Sequence, residues 1–213
     1  MIRARSLYRD VVYLALAVAA ATFLNACTYT VEQQTVEPEG WQKRIEHNST
    51  INGWTIQARL GIQSATEGGS FDLFWDETPA AYTMRMIAPM GMGAAQITGN
   101  EAGVTLKMAD GREQFSDDPD ELFATMTGLA LPVSGLRDWI RGMPMHDVAF
   151  SDPVWNENNQ LHKLKQMGWR VEMNKYRKVN EFELPHAFYL EREEGSELSV
   201  RLLVRRWQPQ SGQ

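Results

Sequence analysis

The chain has 213 residues, 43% of them hydrophobic and 10% aromatic, with 21 Lys and Arg against 27 Asp and Glu and a net charge of −6. That length supports one domain with a substantial core, and that composition excludes a disordered chain. The acidic balance argues against a nucleic-acid binder, because phosphate backbones are held by basic surfaces.

Residues 1–10, "MIRARSLYRD", carry three arginines, and "VVYLALAVAAATFL" (11–24) then runs apolar and uncharged. The stretch suits the apolar core of a signal peptide and falls short of the roughly 20 residues of a spanning helix. "LNAC" (24–27) ends it with the only cysteine, and with Ala26 at −1 and Leu24 at −3 it resembles the bacterial lipoprotein cleavage box. In such signals the cysteine becomes the first mature residue and is acylated, so 1–26 is expected as a lipoprotein signal peptide and Cys27 as the lipidation site. The alternative is an uncleaved anchor helix with a buried cysteine. Removing 1–26 takes Lys and Arg from 21 to 18 and Asp and Glu from 27 to 26, a net charge of −8. Such a domain is repelled by anionic headgroups, so the lipid on Cys27 must hold it at a membrane. Acyl chains contribute about 0.8 kcal/mol per buried methylene, and stable anchoring takes more than one chain. A lone cysteine forms no internal disulfide.

The polar stretch 27–40 reads as a flexible tether. Trp41 and Ile45, four apart, mark one stripe of a short helix. "WTIQARLGI" (54–62) alternates with period two and predicts a strand. Gly68-Gly69 reads as a turn, followed by strands at "SFDLFWD", "AYTMRMIA", "AAQITG" and "GVTLKMA", with a hairpin signal at Asp110-Gly111. The period then changes. "DDPDELFATMTG" (117–128) predicts a helix with Asp118 as N-cap, Pro119 at its first position and Gly128 after its end. "SGLRDWIRG" (134–142) predicts a second, capped by Ser134 and ended by Gly142. Strands return at "GWRVEMNKY", "HAFYLERE" and "ELSVRLLVRRW", leaving 209–213 as a tail.

The expected fold is mainly β with short helices (α+β). One domain over 41–208 forms a curved antiparallel sheet, an open half-barrel covered by helices and enclosing an apolar cavity. Seven tryptophans and 11 methionines suit a cavity for a flexible guest, since methionine adapts to varied shapes. The cavity candidates are Trp54, Phe71, Trp75, Met84, Met86, Leu122, Phe123, Met126, Trp139 and Ile140; an ordinary core is the alternative for each.

Signals of reaction chemistry are absent. No G-x-S-x-G elbow occurs, and His47, His146, His162 and His186 stand at no metal-ligand spacing. Gly91-Met92-Gly93 lacks the rest of a nucleotide loop, and the acids at 117–121 read as a helix start favoured by the helix dipole. No catalytic residue, metal or cofactor is expected beyond the diacylglycerol and N-acyl chains on Cys27, and the chain is not expected to be an enzyme.

"MRMIAPMGMGAAQITGN" (84–100) stands where a hairpin turn belongs, yet after Arg85 it carries no charge, and Met84–Met92 holds four methionines. Turn tips ordinarily collect polar residues that face water. Either this loop folds back onto its own core, or Pro89, Met90, Gly91 and Met92 form an apolar tip that enters a bilayer or a partner's groove. Met90 is the residue placed to touch lipid.

"GWTIQARLGI", "FDLFW", "AYTMRMIAPMGMG", "LALPVSGLRDWIRGMP", "QMGWRVEMNKY", "ELP" and "LSVRLLVRRW" together resemble the LolB family of outer-membrane lipoprotein receptors, in order and spacing over roughly 41–207. The resemblance implies a half-barrel with helices over an apolar cavity. It implies a lipid-anchored, periplasm-facing protein of the outer membrane that takes lipoproteins from a LolA-like carrier and inserts them. It also implies a protruding loop with an apolar residue, usually leucine, between a proline and a glycine, the place held here by Met90. Thr28 after the acylated cysteine, rather than Asp, fits outer-membrane sorting. The partners implied are the carrier, acylated cargo and outer-membrane lipid, with no nucleic acid, and the chain is expected as a monomer. The alternative is a structural envelope lipoprotein binding a protein partner through the apolar loop. A lipid-modifying hydrolase built on Ser134 is a third.

Overall fold

The computed structural model describes residues 35–91, 93–195 and 197–212. The expected signal peptide, Cys27, the tether up to residue 34 and Met92 lie outside the described residues. A first helix, α1 (Trp41–Ser49), leads into β1 (Ile51–Gln63), β2 (Gly68–Glu77), β3 (Ala81–Ile87), β4 (Ala94–Asn100), β5 (Gly103–Met108) and β6 (Glu113–Ser116). Two short helices follow, α2 (Pro119–Thr127) and α3 (Val133–Trp139). Next come β7 (Phe150–Trp155), β8 (Leu161–Gln166), β9 (Trp169–Asn174), the small hairpin β10 (Arg177–Val179) and β11 (Phe182–Leu184), then β12 (Ala187–Arg192) and β13 (Ser199–Ser211). Eleven strands form one antiparallel sheet in the order β6-β5-β4-β3-β2-β1-β13-β12-β9-β8-β7, which stays open between β6 and β7.

The period-two patterns decide which side of this sheet is buried. Trp54, Ile56, Ala58, Leu60 and Ile62 of β1 face inward, as do Val200, Leu202 and Val204 of β13. The register between these strands shifts by one residue, Ala58 opposing Val204 while Gln57 opposes Arg206. The extra residue, Arg205, is a β-bulge, and it turns Trp207 inward opposite Ile56 where strict alternation would turn it out. Trp207 then joins Trp54 and Trp75 in an aromatic cluster with ring centroids 5.4 and 6.0 Å apart. β13 stays paired with β1 to Ser211, so Pro209, Gln210 and Ser211, expected in the tail, belong to the sheet. Gly68 and Gly69, expected as a turn, open β2 opposite Gln63 and Ile62, and the turn itself is 64–67.

The short helices cover the inner face and show how far the sheet curls. Arg137 of α3 pairs with Glu77 of β2, and Trp139 Nε1, two residues along the helix, donates to Gln166 Oε1 of β8 at 2.8 Å. β2 and β8 stand five places apart in the strand order. Laid flat at about 4.8 Å per strand they would be separated by roughly 24 Å. A seven-residue helix is only about 10 Å long. The sheet therefore wraps around α3. Gln166 is buried with its amide fully used, its Nε2 donating to the Met145 and Val148 carbonyls at 3.0 and 2.8 Å. At the β7 side, Trp41 of α1 meets Trp155 edge-on at 5.8 Å.

α2 begins as its sequence dictates. Asp118 accepts from the Asp120 and Glu121 N–H groups at 2.9 and 3.0 Å, Pro119 takes the first position, and Gly128 ends the helix at φ 76°. α3 departs from expectation. Ser134 is not its cap but its second residue, and the cap comes from α2: Asp120 accepts from the Ser134 N–H at 2.8 Å and hydroxyl at 2.7 Å. One carboxylate thus takes an N–H of α3's first turn and ties the two helices together.

Candidate apolar site beneath an exposed tip

The hairpin of β3 and β4 builds the site. Tyr82, Met84 and Met86 alternate inward along β3, and the strand ends where the Ala88 N–H donates to the Gly93 carbonyl at 2.9 Å. Between them Pro89–Gly91 makes a single tight turn. Proline suits it because it brings no N–H that needs a partner and fixes its own φ. Met90 has φ 55° and ψ 21°, the left-handed region that side chains other than Gly and Asn avoid. In that conformation its side chain stands 91% exposed. Met90 does not fold back onto the core.

Directly below lies an apolar pocket of about 330 Å³. Its floor is the end of the sheet nearest the tip: Ile62, Phe71, Met86, Ala95 and Met108, one from each of five adjoining strands. Its roof is Phe123 and Thr127 of α2 with Leu129 just beyond, and Gly93 and Ala94 join its wall to the base of the tip. The reason for the void is local. Ala95 stands between Met86 and Met108 in the register of the sheet, so a methyl group occupies a place flanked by long side chains. Helix α2, nine residues long, is too short to fill the space above. The volume is at the lower end of small-molecule sites, about 300–1,000 Å³.

Of the residues expected to line a cavity, Phe71, Met86 and Phe123 do so. Met126 is half-buried against the core beside them and is not on the wall. Trp54, Trp75, Met84, Leu122, Trp139 and Ile140 are not on this wall either; all six are buried. Bulky side chains that interdigitate at crystal-like density fill space rather than leave it. Sequence reasoning missed the rest of the wall, from Ile62 and Met108 to the small residues Gly93, Ala94, Ala95 and Ala109, and the one charged group there, Asp110. The signal that could have found part of it is Ala95, a small residue at an inward strand position just after the tip.

Trp54 borders instead a polar groove of about 530 Å³ at the 78–80 turn, the opposite end of β3 from the tip. Glu77 lies there, its side chain 2% exposed. Burial pushes its carboxyl above the usual range, against the Arg137 guanidinium and the Trp75 Nε1 hydrogen bond at 3.0 Å, which favour the anion. Burial likewise raises Asp120, opposed by its two bonds from Ser134. Arg141 pairs with Asp138, donates to the Ile51 carbonyl at 3.0 Å and lies over the Trp54 ring at 5.5 Å. These groups knit α3 to the sheet, and their charge makes the groove unsuited to an acyl chain. The Ser134 hydroxyl is spent as a donor to Asp120, which is a helix-capping arrangement and not that of an activated nucleophile. Among the described residues no three His, Cys, Asp or Glu side chains group as metal ligands would, and no helix is long and apolar enough to cross a membrane.

Comparison with known proteins fits this architecture. The family profile described as "Outer membrane lipoprotein LolB" matches residues 52–207. The outer-membrane lipoprotein LolB of Pseudomonas aeruginosa is 32% identical over 200 residues, 92% of this chain and 96% of that protein. Its counterpart in Pseudomonas putida is 35% identical over 173 residues, 81% of this chain and 82% of that protein. The crystal structure of a LolA superfamily protein from Nitrosomonas europaea superposes with a TM-score of 0.54 at 7% identity, over 81% of this chain and 94% of that one, which shows a shared fold. By profile and by identity over nearly its whole length, the chain belongs to the outer-membrane lipoprotein LolB family.

Proposed function

We propose that this protein, held in the outer membrane by acyl chains on Cys27 and facing the periplasm, accepts lipoproteins from a LolA-like carrier and inserts them into that membrane. The observation that carries the reading is the sharing of one hairpin by two features. Met86 and Ala95 line the apolar pocket, and Met90, between them in sequence, is the exposed tip. An acyl chain in the pocket lies beside the segment that would touch the bilayer. No covalent step is required: transfer runs downhill when acyl chains fit this pocket better than the carrier's, and then leave it for the membrane. Membrane contact at Met90 couples release to arrival. The pocket also favours this reading over a purely structural lipoprotein, which needs no site for an acyl chain.

The test uses a carrier loaded with radiolabelled lipoprotein, the mature chain and liposomes. Met90→Glu is expected to take label from the carrier at the wild-type rate and fail to pass it to liposomes. Wild-type insertion by that variant would remove the tip from the mechanism.

A further inference from the structure

The net negative charge of the chain is not spread evenly. On the outer face of β1, β2, β3 and β13, the side turned away from the core, stand Arg59, Arg85, Arg201, Arg205 and Arg206. The acids on that face of those strands are Asp72 and Asp76. Asp72 is shared by Arg59 and Arg205, at 3.3 and 3.4 Å. Arg85, Arg201 and Arg206 form no ion pair among the described residues. Arg85 lies over the Phe74 ring at 5.6 Å and Arg201 over Tyr189 at 5.5 Å, which orients each guanidinium and leaves its edge open for an acceptor.

The register ties this patch to the tip. Arg85 opposes Phe74, Phe74 opposes Gln57, and Gln57 opposes Arg206, so two of the arginines share one row across four strands. The adjoining row holds Ile87, Asp72, Arg59 and Leu203. Ile87, half-exposed on the outer face, is the last residue of β3 before the tip, and Leu203 is exposed among the arginines. Basic and apolar side chains on one surface beside a membrane-entering loop match the headgroup layer, with phosphates above an apolar interior. Glu67 in the turn between β1 and β2, and Glu194 and Glu197 in the turn between β12 and β13, are exposed at the tip's end of these strands and would be repelled by the same lipids. The charge pattern therefore favours one tilt, with β1–β3 laid toward the membrane.

We propose that these outer-face arginines form a second membrane contact, taking the phosphates of anionic phospholipid headgroups while Met90 enters the apolar layer, and so set the tilt at which the pocket faces the bilayer. The proposal rests on the reading of Met90 as the membrane-entering residue.

The test uses the mature chain with Cys27→Ala, which carries no lipid, and vesicles of phosphatidylcholine alone or mixed with phosphatidylglycerol. The wild-type sequence is expected to bind the mixed vesicles more tightly, and less so at high salt. The triple variant Arg85→Gln, Arg201→Gln, Arg206→Gln should lose on the order of 100-fold on mixed vesicles, with little change on phosphatidylcholine. The three Arg→Lys replacements should restore most of it, which a purely structural role would not. Equal binding of the wild-type sequence to both vesicles, or an undiminished preference in the Gln variant, overturns the proposal. So does slower uptake of cargo from the carrier by a Gln variant whose vesicle preference is intact, since the patch would then serve an acidic protein surface. Met90→Glu separates the two readings: it should weaken binding to both vesicles, and unchanged binding would sink the tip reading while the ratio between vesicles still reports on the arginines.

Discussion

Met90→Gly should move stability and function in opposite directions. Met90 holds φ 55° with its side chain 91% exposed, so the fold gains no packing from it and bears the backbone penalty. A non-glycine residue in the left-handed region costs roughly 1–2 kcal/mol. Glycine removes that cost but returns about 0.5–1 kcal/mol through the greater freedom of the unfolded chain. The net expectation is a gain of up to about 1 kcal/mol, or roughly 2–4 °C in midpoint for a domain this size. Removing the side chain from a membrane contact acts the other way. Full transfer of a methionine side chain out of water contributes about 1.5–3 kcal/mol, so vesicle partitioning should fall roughly 10- to 150-fold. Urea denaturation and vesicle co-sedimentation of the unacylated mature chain measure the two effects separately. A loss of more than about 1 kcal/mol in stability would mean that Met90 packs against the protein. Unchanged partitioning would mean that its exposure serves something other than lipid. Either result refutes the reasoning; strain retained at a tip that does not need it for folding is the stability–activity trade-off in one residue.

Arg137→Ala should destabilise the protein by about 2–3 kcal/mol at pH 7, because it strands the buried Glu77 carboxylate with only the Trp75 indole as donor. Glu77 already binds its proton more tightly folded than unfolded, so its protonated form adds stability that is complete below the ordinary glutamate value and lost as pH rises through the raised folded value. Without Arg137 that rise is larger, and the variant's deficit in urea midpoint should shrink between pH 7 and pH 5; an equal deficit at both would contradict the assignment. Asp118→Ala removes the acceptor for two N–H groups at the start of α2 and should cost about 1 kcal/mol by the same assay, with no effect on the β-sheet's circular dichroism signal.

How much of this was legible beforehand depended on whether the cause was local. The alternation in "WTIQARLGI" specified which β1 side chains are buried, and Asp118, Pro119 and Gly128 specified α2, because both rest on neighbours in sequence. Ser134 looked like a cap and is not one, since the acceptor that serves α3 comes from Asp120, 14 residues earlier. The bulge at Arg205 and the pairing of Pro209–Ser211 depend on register with β1, which no window of β13 reveals. Phe71, Met86 and Phe123 were legible as pocket residues, and the rest of the wall was not, for a related reason. Tryptophans and leucines mark where apolar volume is, whereas a cavity forms where it is missing, here at Ala95 between two long methionines under a short helix. The tip stood out in the sequence because an uncharged turn is anomalous by itself, and Met90 is exposed there.

The claim that the pocket beneath the tip receives the cargo's acyl chain is tested most directly by filling it. Ala95→Phe places a ring between Met86 and Met108, inside the about 330 Å³ space and away from Met90. Its urea midpoint and vesicle binding report that the fold and the tip are intact. With those unchanged, the account predicts that radiolabelled lipoprotein stays on the carrier. Uptake of the label at the wild-type rate would show that acyl chains are held elsewhere.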